Sequence, residues 1–316
     1  MSNLQSQISA IQSRLLPCYP ADEANALAWW IAEELTGLSR TELQFGCKGT
    51  NFSSHMQEIE TIIERLLHFE PIQYIFGHTL WNGLDLKVTP STLIPRPETA
   101  ELVERINEKM VNEKMVNDQR PTTNDQRPTT VLDVGTGSGC IAISLKKAHP
   151  EWSVTGIDIS PEAIEVAREN ACRNNVDVHF EVADILSDQM TKYLNKWYMV
   201  NEKMVNDQMV NIVVSNPPYI CESEKVSMRP NVLDYEPSTA LFVPDSDPLL
   251  FYRRIAELSS MDYRPSTNDQ RLIFFEINEA YGPQLSAMLS GLGYTNIQIH
   301  KDIYGKDRII EARMAC

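Results

Sequence analysis

The stretch Asn216–Tyr219 reads Asn-Pro-Pro-Tyr and directly follows the apolar run Ile-Val-Val-Ser. Two consecutive prolines have no N–H to donate to a neighbouring strand, so a strand that reaches them must end there. The result is a stiff turn that carries an amide side chain, backbone carbonyls and an aromatic ring. Such a turn can hold a flat polar group, and the rest of the chain must indicate which one.

A second stretch with chemical potential runs from Asp133 to Gly139 and reads Asp-Val-Gly-Thr-Gly-Ser-Gly. It follows a predicted strand and opens a predicted helix, and glycines there let the backbone turn sharply and approach a ligand. The spacing matches neither the Gly-x-Gly-x-x-Gly of dinucleotide-binding proteins nor a phosphate-binding loop that ends in Gly-Lys-Ser/Thr. Glycine turns also serve plain packing of a helix on a strand, so the motif alone leaves both interpretations open.

Two aspartates follow the next two predicted strands. Asp158 ends one strand and could accept hydrogen bonds from both ribose hydroxyls of a nucleoside. Asp184 follows the other strand, where the base of that nucleoside would lie. Asp158 could instead cap the helix that starts at Pro161. Together with the glycine turn, the two positions favour a nucleoside site whose linker is not pyrophosphate.

The elements that must position these residues alternate along the chain. From residue 131 onward, short apolar runs typical of buried strands are separated by segments of helical periodicity. This alternation predicts an α/β domain with a doubly wound, mostly parallel, seven-stranded Rossmann-like sheet that ends in an antiparallel pair. The predicted strands are 131–134, 154–159, 178–182, 211–214 and 272–277, followed by the pair around Gly305.

Residues 1–75 predict a small helical domain, because apolar residues recur there at helical spacing. Acidic residues outnumber basic ones in this region, which suits a protein partner better than a phosphate backbone. A purely structural cap on the next domain would explain the same pattern. Residues 76–92 predict a connecting hairpin with a turn at Asn82-Gly83, and we expect the catalytic domain to span 93–316.

Short polar repeats built on Asn-Glu-Lys-Met-Val and Asn-Asp-Gln-Arg interrupt the predicted α/β domain. Each block precedes a predicted strand, so it would lie at the amino edge of the sheet, opposite the edge where ligands bind. Long loops cost little, because closure entropy grows only with the logarithm of loop length. We interpret 107–130, 198–209 and 263–271 as tolerated insertions, with a dedicated binding loop as the alternative.

Composition narrows the functional classes. The net charge of −15 disfavours a nucleic-acid substrate, because proteins that bind nucleic acid usually present a basic face. The scattered cysteines, none with Cys-x-x-Cys spacing, indicate neither a disulfide framework nor a zinc site. We therefore expect no metal and a reducing, cytoplasmic location. Neither an export signal nor an apolar run of about 18 residues is present, so we expect no membrane association.

The combination of motifs resembles the class I S-adenosylmethionine-dependent methyltransferases. In that family Asn-Pro-Pro-aromatic follows the fourth strand, as it does here, and marks enzymes that methylate nitrogen in planar amino or amide groups. The Asn216 side-chain oxygen and the Pro217 carbonyl could each accept one substrate N–H, while Tyr219 would pack on the flat group. The motif contains no His, Asp or Glu that could act as a base, so the product proton would leave to water.

From the end of the helical region to the C-terminus, the chain is similar to release-factor glutamine N5-methyltransferases of the HemK type. This resemblance implies methyl transfer from S-adenosylmethionine, with S-adenosylhomocysteine as product, to the glutamine of the Gly-Gly-Gln tip of class 1 peptide chain release factors. It also implies that the N-terminal helical domain recognises the release factor. The segments that carry the resemblance are 71–77, 93–104, 131–145, 212–220, 234–241 and 301–308.

The same resemblance assigns roles to individual residues. It implies that the glutamine lies against Asn216, Pro217, Pro218 and Tyr219, with Asn216, Pro217 and Tyr219 as the catalytic residues. It implies that the methyl donor lies against Asp133, Gly135, Thr136, Gly137, Ser138, Gly139, Asp158, Asp184, Ile185 and Asn216. The segment from Arg96 to Thr99 would help cover the donor, unless it is only a proline-bounded helix start.

Two other functions remain open at this point. N6-adenine DNA or N2-guanine RNA methylation is the alternative activity, because enzymes of both kinds share turns like Asn-Pro-Pro-Tyr. The acidic composition disfavours both nucleic-acid substrates. A protein that binds the methyl donor and only docks partners is the third hypothesis, which the intact motif argues against.

Overall fold

The computed structural model describes residues 4–45, 54–117, 129–190, 210–261 and 271–314. The chain divides into two compact units. Met1–Gly77 and Arg229–Tyr235 form the helical unit, and His78–Met228 and Glu236–Cys316 form the α/β unit.

The helical unit packs its amphipathic helices around one apolar cluster that includes Ile8, Trp29 and Ile63. Helix α2 ends at Gly37, which adopts the left-handed conformation (φ 67°) and donates its N–H to the Glu33 carbonyl. The helices are α1 (Leu4–Leu15), α2 (Ala21–Thr36), α3 (Arg40–Phe45), α4 (Met56–Leu67), α5 (Ile72–Phe76) and the short α9 (Pro230–Leu233).

Two contacts attach the segment Arg229–Tyr235 to the rest of the helical unit. Arg229 Nη1 lies 3.2 Å from Glu23 Oε2 on α2, and the Tyr235 hydroxyl donates to the His68 carbonyl at 2.9 Å. This stretch, which follows the Asn-Pro-Pro-Tyr motif in sequence, therefore belongs structurally to the N-terminal helices.

The α/β unit is built on a seven-stranded sheet with the order β10-β11-β9-β6-β3-β4-β5. Its strands are β3 (Thr130–Val134), β4 (Ser153–Asp158), β5 (His179–Val182), β6 (Ile212–Ser215), β9 (Leu272–Glu276), β10 (Tyr294–Lys301) and β11 (Asp307–Met314). Two small sheets accompany it: β1 (His78–Trp81) with β2 (Leu84–Lys87), and β7 (Ile220–Cys221) with β8 (Phe242–Val243). The helices of this unit are α6 (Pro97–Asn117), α7 (Cys140–Ala148), α8 (Pro161–Arg173), α10 (Leu250–Met261) and α11 (Gly282–Gly291).

The strand directions confirm the predicted α/β class with a doubly wound, mostly parallel sheet. The neighbours from β9 to β5 all pair in parallel, whereas β11 pairs antiparallel with both β9 and β10. The chain builds β3, β4 and β5 outward in one direction and then returns to place β6 on the other side of β3. In such sheets a ligand crevice forms at the carboxyl ends of the two strands where the direction reverses.

Apolar residues from the two faces of this sheet enter separate clusters. One contains Val131, Trp152 and Phe274, and the other contains Leu132, Tyr252 and Phe275. Because successive side chains of a strand point to opposite faces, a strand covered by helices on both faces must be apolar throughout. The run Ile-Val-Val-Ser of β6 is buried at every position for this reason.

The structure corrects part of the interpretation of the repeats as passive loops. Residues 107–117 are not a loop but the last turns of α6, because Asn-Glu-Lys-Met-Val consists mostly of good helix formers and extends the preceding helix. Arg271 closes another repeat, yet it is only 1% exposed, and its Nε donates to the Val210 carbonyl at 3.0 Å. The predicted insertions at 118–128, 198–209 and 263–270 lie outside the described residues.

Within the described ranges, no helix combines the length and the apolar character needed to cross a bilayer.

Candidate active site

A cavity of about 330 Å³ opens at the carboxyl edge of the α/β sheet, where strands β3 to β6 end. This volume falls in the range of about 300–1,000 Å³ that is usual for small-molecule sites. The cavity brings together residues that the sequence analysis selected from four separate strand ends. On its wall lie Gly135, Thr136, Gly137, Ser138, Asp158, Asp184, Ile185, Asn216, Pro217 and Pro218.

The glycine turn presents bare backbone to this cavity. Gly135 and Gly137 have φ values of 70° and 55°, a region that side-chain-bearing residues rarely adopt. A Cβ atom built on either residue would meet no other atom within 4 Å, so the space beside each is open. Gly139 differs, because its Cβ would lie 3.0 Å from Ile143 and 3.1 Å from Ala167. Two glycines of the motif therefore face a ligand space, and the third allows α7 to pack closely.

Asp133 lies behind the cavity wall and fixes the turn from beneath. The Thr136 hydroxyl donates to Asp133 Oδ2 at 2.6 Å, and the Thr136 N–H donates to the Ile157 carbonyl at 2.9 Å. The carboxyl group is fully buried, and this burial raises its pKa to about 7, while the hydrogen bonds from Thr136 and from the Ala142 N–H oppose the shift. Asp133 thus supports the turn rather than lining the ligand space.

Asp158 reaches the cavity from the end of β4. Its Oδ2 accepts the Gly137 N–H at 2.9 Å and its Oδ1 accepts the Ser160 N–H at 2.9 Å. Burial raises the pKa of this carboxyl, although the backbone N–H donors oppose the shift. The helix cap of α8 is Ser160, whose side chain accepts the Ala163 N–H, so the capping alternative for Asp158 is wrong. The Ile159 N–H is a third backbone donor to this carboxylate, which has about four acceptor sites and so keeps capacity for a further donor.

The turn after β5 supplies the third part of the wall. Asp184 Oδ1 accepts the Leu186 N–H at 2.9 Å and the Asp184 carbonyl accepts the Ser187 N–H at 3.0 Å, which holds the turn in shape. Ile185 packs against the core with its side chain, and its carbonyl accepts a hydrogen bond from Arg254 Nε at 3.1 Å. Arg254 was not selected from the sequence, because its contact with this turn joins residues far apart in the chain.

Asn216 enters the cavity from the end of β6, next to β3. Its Nδ2 donates to the Thr99 hydroxyl oxygen at 3.2 Å, and that hydroxyl donates to Glu276 Oε2 at 2.6 Å. Thr99 and Glu276 are 2% and 1% exposed. Thr99 stands in the segment expected to cover the donor, whereas Glu276 ends β9 and was not selected from the sequence. The sequence feature that could have identified Glu276 is a carboxylate at the end of an otherwise apolar strand.

Tyr219 does not line the cavity, although it belongs to the same motif. Its hydroxyl donates to Glu276 Oε1 at 3.1 Å, and its ring packs against the core cluster that contains Phe275. Burial raises the pKa of the Tyr219 hydroxyl, and the neighbouring Glu276 carboxylate raises it further. The structure therefore places the Tyr219 ring beside the turn rather than across from a ligand in the cavity.

The opposite side of the cavity is formed by two segments that an ion pair joins. Arg96 Nη2 lies 2.5 Å from Glu236 Oε1, and the Ile94 N–H donates to Glu236 Oε2 at 3.3 Å. Glu236 is 5% exposed; burial raises the pKa of its carboxyl, and Arg96 opposes this shift. Arg96 and Thr99 line the cavity and Pro97 begins α6, so the segment both starts a helix and forms wall.

Among the described residues no cluster of His, Cys, Asp and Glu has the arrangement needed to hold a metal ion. What the cavity offers is a bare glycine backbone, a carboxylate with spare acceptor capacity and a Pro-Pro turn that carries an amide. These groups fit a nucleoside whose attached chain lies along the glycine turn.

Comparisons with known proteins agree with this geometry. The family model described as the PrmC N-terminal domain matches residues 9–77, and a model described as a methyltransferase domain matches residues 125–235. The chain is 41% identical over 305 residues to the release factor glutamine methyltransferase of Bacteroides thetaiotaomicron, an alignment that covers 96% of this chain and 97% of that one. It is 38% identical over 297 residues to the Flavobacterium psychrophilum protein of the same name, with 94% of each chain covered.

A third relative agrees with the first two. The release factor glutamine methyltransferase of Streptococcus pneumoniae is 35% identical over 291 residues, which cover 92% of this chain and 91% of that one. Similarity at this level over nearly the full length shows that the chain belongs to the release factor glutamine methyltransferases.

Proposed function

We propose that this protein transfers a methyl group from S-adenosylmethionine to the side-chain amide nitrogen of the glutamine in the Gly-Gly-Gln motif of class 1 release factors. The observation that carries this proposal is the position of Asn216, Pro217 and Pro218 on the same cavity wall as the glycine turn and Asp158. The relatives with this name support the substrate class. A substrate that acts in translation places the enzyme in the cytoplasm.

The donor-binding residues fit a nucleoside with a short charged chain. Gly135 and Gly137 let the donor approach the backbone, because no Cβ intrudes there. Asp158 would accept hydrogen bonds from the ribose hydroxyls with the acceptor capacity that its backbone donors leave. Asp184 and Ile185 would lie beside the base, which the half-buried aliphatic side chain of Ile185 would contact. The bound donor supplies an electrophilic methyl group on a sulfonium.

The substrate nitrogen is a poor nucleophile, because an amide lone pair is delocalised into the carbonyl. Asn216 would accept one N–H of the glutamine through Oδ1, and the Pro217 carbonyl would accept the other. The two prolines offer no competing N–H. Holding both hydrogens orients the remaining lobe of the nitrogen toward the methyl group and favours loss of planarity, which is catalysis by positioning and electrostatics. Tyr219 keeps the turn in place through its bond to Glu276.

The test is transfer of labelled methyl from S-adenosylmethionine to purified release factor. We expect label in the wild-type release factor and none in a variant whose Gly-Gly-Gln glutamine is replaced by alanine. Bare DNA and RNA serve as parallel substrates, because enzymes that methylate adenine or guanine share similar turns. Label in nucleic acid and not in the release factor would refute the proposal and establish the alternative.

A further inference from the structure

A buried chain of hydrogen bonds lies behind the Asn-Pro-Pro-Tyr turn. It runs from Asn216 Nδ2 to the Thr99 hydroxyl oxygen (3.2 Å) and from that hydroxyl to Glu276 Oε2 (2.6 Å). Thr99 and Glu276 lie 177 residues apart in the sequence, and α6 and β9 bring them together. Neither side chain is more than 2% exposed, so water does not compete for these bonds.

The polarity of this chain follows from the number of protons available. A threonine hydroxyl carries one proton, and Thr99 gives it to the Glu276 carboxylate, which can only accept. Thr99 therefore has only lone pairs to offer toward Asn216. A side-chain amide has a donating end and an accepting end, and only its Nδ2 end can satisfy these lone pairs. These hydrogen bonds thus select one of the two orientations of the Asn216 amide.

The ionised form of Glu276 is essential to this polarity, since a protonated carboxyl could donate to Thr99 and reverse the chain. Burial raises the pKa of Glu276 and the Glu98 carboxylate raises it further, while the Thr99 and Tyr219 hydroxyls and the Arg308 guanidinium oppose this shift without reversing it. Tyr219 donates to the other carboxylate oxygen at 3.1 Å. Both oxygens of Glu276 thus accept a hydrogen bond from a hydroxyl, which is the arrangement of an acceptor-only carboxylate.

We propose that Thr99, with its proton held by Glu276, is a positioning residue that keeps Asn216 Oδ1, rather than Nδ2, directed toward the substrate amide. The inference rests on the proposed function, because a glutamine side chain presents two N–H donors and requires an acceptor. If the Asn216 amide were turned by 180°, its N–H would face an N–H of the substrate. Two donors cannot bond to each other, so both would be unpaired. In this role Thr99 acts through Asn216, and Glu276 acts through Thr99.

The primary experiment compares Thr99→Val with Thr99→Ser in methyl transfer to the release factor. Valine has the same shape but offers no lone pair, so Nδ2 becomes a buried donor without a partner, and the amide turns to satisfy it. Because one unsatisfied buried donor shifts such an equilibrium about 10- to 100-fold, we expect kcat to fall by roughly that factor in Thr99→Val. Serine keeps the hydroxyl and should restore most of kcat, and donor affinity by calorimetry should change far less than kcat in Thr99→Val.

A double-mutant cycle separates orientation of Asn216 from any other effect of Thr99. In an Asn216→Ala background no amide remains to be oriented, so adding Thr99→Val should lower kcat no further. If Thr99→Val lowers kcat by the same factor in both backgrounds, Thr99 acts independently of Asn216 and the inference is overturned. Tyr252→Phe is the control for nearby damage, because its hydroxyl donates to the Glu276 backbone carbonyl at 3.0 Å and not to the carboxylate. This variant should keep its kcat.

A second readout does not require the proposed substrate. The side-chain NH₂ protons of Asn216, assigned by their absence in the Asn216→Ala spectrum, should exchange with solvent at least about 10-fold faster in Thr99→Val than in wild type or Thr99→Ser. Equal exchange rates would overturn the inference even if the release factor is methylated. Conversely, failure of the wild-type enzyme to methylate the release factor would reject the proposed function, while the exchange rates would still decide the role of Thr99.

Discussion

Asp133→Asn tests how the glycine turn is supported, and its effect on stability should depend on pH. The Asp133 carboxyl is fully buried, and its pKa rises from 3.8 to about 7, chiefly through burial. A shift of this size, roughly three units, corresponds to about 4 kcal/mol between the two protonation states at ~1.36 kcal/mol per unit. The neutral carboxyl is therefore compatible with the fold, and the charged one is costly.

The upward shift of the Asp133 pKa determines how stability changes with pH. Because the folded protein holds this proton more tightly than the unfolded chain, the stability linked to Asp133 is fully present below about pH 4. It is lost as the pH rises toward about 7, and above that value both states are ionised and the loss is complete. Between pH 5 and 7 the wild-type protein should thus lose about 2 kcal/mol relative to Asp133→Asn, which does not titrate.

The assay is urea unfolding of both proteins across pH 5 to 8, analysed as the difference in unfolding free energy at each pH. Taking the difference cancels other carboxyls whose pKa burial raises, such as those of Asp158 and Glu276. Asparagine keeps an oxygen that can accept the Thr136 hydroxyl, so the turn itself should survive. A difference that stays constant from pH 5 to 8 would refute the assignment of a raised pKa to Asp133.

Two further variants address the cavity, and a third, with its control, addresses packing at β4. Asn216→Ala should lower kcat by about 10²–10³ with donor affinity largely kept, because one preorganised acceptor is lost; equal turnover in methyl transfer would remove the proposed role. Asp158→Ala should weaken donor binding at least about 10-fold by calorimetry, since it removes a charged hydrogen-bond partner, and unchanged affinity would contradict a ribose contact. Gly156→Ala should cost about 1–3 kcal/mol in urea unfolding, because a Cβ there would lie 2.7 Å from the Phe180 ring and from Thr136 Oγ1. Gly291→Ala, whose Cβ would meet nothing within 4 Å, is the matched control and should leave stability nearly unchanged.

The sequence predicted the elements of the α/β unit because their signals are local. Each buried strand is a short apolar run, and the glycine turn lies between a strand and a helix within a few residues. The carboxyl ends of neighbouring parallel strands share one edge of the sheet. Asp158 and Asn216 could therefore be placed at one site before any distance was known, and the structure finds both on the cavity wall.

The parts that could not be predicted depend on contacts between distant segments. The pairing of Arg96 with Glu236 joins residues 140 apart, and the bond from Arg254 to the Ile185 carbonyl joins residues 69 apart. Nothing in the local pattern of either partner specifies the other. The expectation of a loop at 107–116 was wrong for a different reason. Repetition suggested a loop insertion, whereas Glu, Lys and Met are good helix formers and extend the preceding helix.

The two sides of the cavity differ in the same way: one is shaped by local backbone, and the other depends on contacts between distant residues. The positive φ angles of Gly135 and Gly137 shape the side of the cavity that we propose holds the donor. The substrate side depends on the direction of one side-chain amide, which the backbone does not fix. Glu276 supplies that direction, because its two oxygens hold Tyr219 directly and Asn216 through Thr99. A single buried carboxyl group therefore holds both ends of the Asn-Pro-Pro-Tyr turn, which gives a polar side chain a structural role at the end of an otherwise apolar strand.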